Sequence, residues 1–236
     1  MRNHPSGFEL DDCLSHQWRG EGLFSSLAPE ALEEFDAMTF SSVYPRGAVL
    51  YEEGQAARGA IMICHGSAKL SISSNDGRTL ITRIVPAGEF LGLSTSILGT
   101  PYKSTAETLE PTHVNFVRRD DLLRFIDTHH DACLNLARVL SRECEVDADH
   151  IRSLELAQSA AERLASLILS WCTADGKPTS RAQLLRTHEH VSQLIGTSRE
   201  TVTRLLNDFQ QRNLIAIQGA NLFIRDRAAL ESLVHT

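Results

Sequence analysis

Arg199, Glu200 and Arg204 lie within six residues of one another in the stretch 196–206, GTSRETVTRLL. An arginine fork donates two parallel hydrogen bonds to O6 and N7 of guanine, and a glutamate accepts from the N4 amino group of cytosine. On a helix that begins near Ser198, Arg199 and Thr203 share a face, as do Glu200 and Arg204. Val202, Leu205, Leu206 and Phe209 supply the apolar stripe that would bury the other side. The charged triad therefore sits at the outward N-terminal end, where such a helix meets base edges in a major groove. Taken alone, R-E-x-x-x-R also describes many solvated helix faces. Its neighbours decide.

An amphipathic helix, AQSAAERLASLILSWC (157–172), and the loop TADGKPTS precede a short helical run, HEHVSQLI (188–195). Gly196 then supplies a turn, residues 198–215 form the next helix, and AIQGANLFIRD (216–226) reads as a hairpin around Gly219. Two short helices meeting through a turn with a small residue make a helix-turn-helix, and the hairpin is its wing. Upstream, residues 28–38 predict a short helix with Pro29 in its first turn. From 39 to 117 the chain shows short Val-, Ile- and Thr-rich runs cut by YPRG, EEGQ, CHG, SNDGR and VPAGEF, the spacing of an antiparallel jelly roll or barrel. Asn75-Asp76-Gly77 predicts a hairpin with a primed turn. The expected class is α+β, with an arm over 1–22, a β domain over 23–126, a long helix over 127–156 and a winged helix-turn-helix over 157–236.

The long helix, with a break near 127–131, carries a seam: Cys133, Ala137, Leu140, Cys144, Asp147, Ile151 and Leu154 recur at alternating steps of four and three. A narrow a/d seam of this length predicts packing on a copy of itself, a parallel homodimer; burial on its own β domain is the competing reading. Asp147 is its one charged member, and Cys144 one turn earlier is a candidate redox residue, although buried core cysteine is the commoner role.

Charge divides along the chain. The net charge is −7, yet residues 157–236 hold nine Lys/Arg against seven Asp/Glu, so the excess of acid lies in the remainder. That asymmetry permits nucleic-acid binding at the C-terminal end. The five cysteines are scattered, with no C-x-x-C pair, which suits a reducing cytoplasm and argues against a dedicated zinc or iron–sulfur site. No apolar run reaches the length of a membrane span, and the polar N-terminus lacks a signal-peptide core, so a cytoplasmic protein without membrane contact is expected. A metal-dependent jelly-roll enzyme would need clustered ligands; His65 and His113 are the only histidines in 39–117, so no enzyme is expected.

HVSQLIGTSRETVTRLLNDFQQRNLI resembles the helix-turn-helix of the CRP/FNR superfamily of bacterial transcription regulators. YPRGAVLYEEGQ, CHGSAKLSI and PAGEFLGL are similar to the strands and corner of its cyclic-nucleotide-binding-type domain, so the resemblance covers about residues 24–226. It implies an effector-sensing jelly roll, a dimerising helix, and a winged helix-turn-helix that binds palindromic double-stranded DNA and works with RNA polymerase. Arg199, Glu200 and Arg204 match base-reading positions of the cyclic-AMP-receptor type, while Thr187, Ser198 and Thr201 match phosphate-contacting ones. The pattern is similar to readers of TGTGA half-sites, because readers of TTGAT typically lack the first arginine.

At the sensing end the resemblance fails. The cyclic-AMP pocket of this family uses a Gly-Glu pair for the ribose, and here Gly92-Leu93 lacks the carboxylate. Its Arg-Ser phosphate pair is Lys103-Ser104, which keeps charge without the fork, and its base-binding pair on the helix is Asp147-Ala148. These departures argue against cyclic AMP, and no cofactor is expected. Cys13 alone in the arm argues against an iron–sulfur cluster, and His65, His129, His130 and His150 form no recognisable haem-ligand motif. Two copies of Asp147 across a dimer axis would repel unless a cation intervenes, and Lys103 is the expected cation, an internal stand-in for effector. The competing reading is a regulator gated by a small molecule, haem or a redox signal.

Overall fold

The computed structural model describes residues 22–155, 159–174, 177–178, 181–183, 187–219 and 221–234. Cys13 and the expected arm, apart from Gly22, lie outside the described residues, as do parts of the loop TADGKPTS. The chain divides into two compact units, one containing Thr82–Val146 with the N-terminal strands, the other Asp147–Thr236 with Asn75–Ile81.

As far as residue 155 the chain runs through α1 (Pro29–Ala37), β1 (Thr39–Tyr44), β2 (Val49–Tyr51), β3 (Gly59–His65), β4 (Ser67–Ser73), β5 (Thr79–Pro86), β6 (Phe90–Leu91), α2 (Leu93–Leu98), β7 (Thr105–Thr108), β8 (Thr112–Arg118), α3 (Arg119–Thr128) and α4 (His130–Glu155). Pro29 occupies the first turn of α1, where its missing N–H costs nothing. Two four-stranded sheets form, ordered β1-β8-β3-β6 and β2-β7-β4-β5. Tyr51, Ala68, Val85 and Ala106 from one pack with Ile61, Ile63, Leu91 and Val114 from the other. On the far side of β3, Ala60, Met62 and Cys64 pack under Phe35, Leu122, Phe125 and Leu136 of α1, α3 and α4. β3 is therefore buried on both faces, which is why it reads as a continuous apolar run instead of an alternating one.

The turn after β4 departs from the expected primed form. Gly77 alone takes a positive φ, +83°, and residues 74–78 separate the strands, with Asp76 accepting from Nε of Arg78 at 2.8 Å. The break between α3 and α4 falls at His129, which is extended (φ −108°, ψ 98°). Cys64 is disulfide-bonded, against the expectation of cysteines without a paired framework, whereas Cys133, Cys144 and Cys172 are free.

The second unit continues with α5 (Ala160–Trp171), β9 (Thr173–Ala174), β10 (Lys177–Pro178), β11 (Arg181–Gln183), α6 (His188–Leu194), α7 (Arg199–Gln211), β12 (Ile215–Gln218), β13 (Asn221–Ile224) and α8 (Arg227–Val234). Ser159 caps α5 by accepting from the Glu162 N–H, half of an S-x-x-E capping box. Leu164, Ile168, Val191, Leu194, Val202, Leu206, Phe209, Leu222 and Leu230 make its core. The wing hairpin β12–β13 gains a third strand, β11, on the other side of β13. Among the described residues no helix is long and apolar enough to cross a membrane.

Candidate nucleic-acid interface and sensor pocket

Helix α7 begins where the sequence places it. The Ser198 side chain accepts from the Thr201 N–H, and Gly196 turns the chain with φ +59°, a conformation that β-carbons oppose. Val202, Leu206 and Phe209 are buried and Leu205 half-buried, which turns Arg199, Glu200 and Arg204 to solvent. These three line one open groove with Thr203, Asn207, Asp208 and Gln211. Arg163 holds the frame behind them, its Nε donating to the Ile195 carbonyl at 2.7 Å. That arginine, and Arg227 on the Cys172 carbonyl, are structural members of the basic count.

Thr187 and Ser198 are helix caps as well as candidate phosphate contacts. Each uses a side-chain lone pair, Thr187 for the His190 N–H and Ser198 for the Thr201 N–H. Ser198 also donates to Oγ1 of Thr201. The hydroxyl proton of Thr201 has no acceptor among the described residues, so it can still donate to an anion.

In the sensor region two tyrosines pack on one another. Tyr51 and Tyr102 stack with ring centroids 3.7 Å apart and planes 13° apart. Tyr102 lies over Gly92, whose φ is +69° and where a β-carbon would meet the ring at 2.5 Å, and its hydroxyl donates to the Gly59 carbonyl at 2.6 Å. Burial raises the Tyr51 phenol, the neighbouring Tyr102 adds to this, and a hydrogen bond with Ser104 opposes it. Leu93 is packed into the helical core.

Lys103 and Asp147 are both exposed, belong to different compact units, and form no ion pair among the described residues. The cation that reaches α4 is Arg83 of β5. It bridges Glu89 and Glu143, the latter at 3.0 Å, with only 13% of its side chain exposed. Burial pulls its pKa down, and the two carboxylates outweigh burial, so the guanidinium is held in its charged form. A legible signal for it existed: Arg83 shares a strand face with Ile81 and Val85, both fully buried, and an arginine on an apolar face must find carboxylates. Replacing Arg83 by methionine removes the guanidinium that lies 3.0 Å from Glu143, whose side chain is 17% exposed. The expected loss is roughly 3 kcal/mol in urea unfolding, the low end for buried pairs because Glu89 is half-exposed. Adding Glu143→Leu should recover most of it, and a double variant as unstable as the single one would contradict the pairing.

The seam of α4 is open. Cys133, Ala137, Cys144, Asp147 and Ile151 are exposed and Leu140 half-buried, while Ala132, Asn135 and Leu136 cover the β domain. Of the seam only Leu140 packs partly against the β-domain core, and the Leu154 side chain lies outside the described residues. A cavity of about 670 Å³ adjoins α4, lined by Arg138, Val139, Arg142, Glu143, Phe90 and Leu23 among others. Among the described residues no group of three or more His, Cys, Asp or Glu could hold a metal.

Residues 162–233 match the model of the Crp-like helix-turn-helix domain, and residues 42–129 match that of the cyclic nucleotide-binding domain. The chain is 29% identical over 225 residues to the CRP-like cAMP-activated global transcriptional regulator of Mycobacterium tuberculosis, covering 94% of this chain and 98% of the relative. It is 24% identical over 215 residues to the cyclic AMP receptor protein of Thermus thermophilus, covering 91% and 97%. Among solved structures, FixK2 of Bradyrhizobium japonicum shares the fold with a TM-score of 0.72 at 22% identity, over 83% of this chain and 96% of that one. The c-di-GMP-responsive regulator CLP of Xanthomonas campestris does so with 0.73 at 18%, over 84% and 99%.

Proposed function

The chain belongs to the CRP/FNR superfamily of DNA-binding transcription regulators, and from that premise we propose that it works as a homodimer reading an inverted repeat of TGTGA without bound cyclic nucleotide. The observation that carries the reading is the solvent-facing cluster of Arg199, Glu200 and Arg204 at the capped start of α7. Arg199 and Arg204 take the two guanines of a half-site, and Glu200 the cytosine paired with one of them. Thr187, Ser198 and Thr201 fix the helix against phosphates. The open apolar seam of α4 joins two copies, which suits a two-fold-symmetric operator. As the family's regulators act on transcription in the cytoplasm, the proposed partners are DNA, a second copy and RNA polymerase.

Ligand independence rests on the sensor region. Leu93 stands where a ribose-binding carboxylate would be needed, and Arg83 already links the β domain to α4. In this reading the internal stand-in for effector is the Arg83–Glu143 pair, which lies within one compact unit, whereas the Lys103–Asp147 pair expected from sequence would span two. Asp147 lies on the exposed face of α4, whereas Glu143, one turn earlier, turns to β5. Cys144, exposed on the seam, would make dimerisation redox-sensitive if it bridged to its mate. The cavity beside Arg138 and Arg142 favours a second reading, a regulator gated by an organic anion.

Selection of bound sequences from random DNA, by the purified protein with and without cell extract, tests both. Enrichment of an inverted TGTGA repeat in both arms is expected. Enrichment only with extract would replace ligand independence by the second reading, and enrichment of an unrepeated motif would overturn the dimeric operator.

A further inference from the structure

Thr203 lies one turn after Arg199 and one residue before Arg204, and it lines the same open groove. Its hydroxyl is committed on both sides. Oγ1 donates its proton to the Arg199 carbonyl at 3.0 Å and lies 2.8 Å from Nδ1 of His188 on α6. Because the single hydroxyl proton goes to a carbonyl, Nδ1 of His188 must carry the proton and donate. One bond runs along the helix and the other to the neighbouring helix, so together they hold the oxygen and with it the rotamer. The group that Thr203 then has left to present is its γ-methyl. A methyl between two guanine-reading arginines suits one partner, since thymine alone of the four bases carries a 5-methyl group in the major groove.

We propose that Thr203 is a further specificity-determining residue, whose methyl packs against the 5-methyl of the thymine lying between the two guanines of the half-site, and that His188 is the positioning residue that orients it. This rests on the reading of α7 as the base-reading helix. It adds a contact of different chemistry, apolar and independent of charge, which separates thymine from cytosine where the arginines have no means to do so. Thr203→Ser keeps both hydrogen bonds and loses only the methyl; His188→Ala keeps the methyl and frees the rotamer.

The test replaces each thymine of the selected operator by uracil, in both half-sites, and measures affinity by fluorescence anisotropy at fixed salt. Uracil at the thymine between the guanines should weaken binding by the wild-type protein roughly fourfold per half-site, the worth of about one buried methyl group. Thr203→Ser should bind the thymine and uracil operators equally, and His188→Ala should reduce the discrimination while retaining the preference for both guanines. Equal affinity of the wild type for thymine and uracil, or undiminished discrimination in Thr203→Ser, would overturn the role of Thr203. Undiminished discrimination in His188→Ala would overturn the positioning role. Absence of any sequence preference in the wild type would instead sink the reading of α7 itself, so the two failures are distinguishable.

Discussion

Arg204→Ala is expected to erase the preference for the G·C pair that this residue reads, while leaving the fold intact. The side chain is exposed on α7 and makes no hydrogen bond or ion pair among the described residues, so its removal takes nothing from the core. Losing one bidentate contact costs roughly 1–3 kcal/mol, and a two-fold operator loses it twice, about 2–6 kcal/mol in all. The salt dependence of the residual binding should change little, because the phosphate contacts persist. Anisotropy titrations against the operator and against one with that pair inverted check this. Equal affinities for the variant support the assignment, and a retained preference removes Arg204 from the reading set.

Ile151→Asp is expected to have an effect of comparable size by a different route. Ile151 is 60% exposed in the single chain, so an aspartate there is tolerated by the isolated fold. Across a self-packed seam it would bring two carboxylates together, beside the pair already present at Asp147. Like charges in an interface cost several kcal/mol, which is enough to separate the copies at micromolar concentration. Sedimentation should then report a monomer with an unchanged circular dichroism spectrum, and operator affinity should fall about a hundredfold or more as each half-site is bound alone. A dimeric Ile151→Asp variant would move the interface off this seam.

The reading end of the molecule was legible in sequence because it is local. The cap at Ser198, the glycine at 196 and the stripe Val202–Leu206–Phe209 all lie within fourteen residues, and each obeys a positional rule. The sensing end is built from contacts distant in sequence. Tyr51 and Tyr102 come from separate segments of the sandwich, and Glu143 lies sixty residues beyond Arg83; no spacing rule brings such pairs together. A period-two reading of β5 flags Arg83 as an inward charge, but the partner depends on how α4 crosses the sheet. β11 escaped because three residues, Arg181–Gln183, are too few to show alternation, and their pairing with β13 is decided by the wing already in place. The primed turn at 75–77 failed for a related reason: a tripeptide that tolerates two positive φ values does not require them, and the Asp76–Arg78 bond accompanies a longer loop.

Strand β3 answers to two interiors at once. Ile61 and Ile63 belong to the sandwich that holds Tyr51 and Tyr102, whereas Ala60 and Met62 belong to the layer under α1, α3 and α4. A strand with one wet face can drift there without consequence over evolutionary time; residues 60–64 have no such face. Every substitution in them is a change of volume in one interior that reaches the other through a shared backbone. A change of side-chain volume at the sensing end is therefore accommodated more readily in β2, β5 and β7 and their connections than in β3, the partition that the sandwich and the helical layer share.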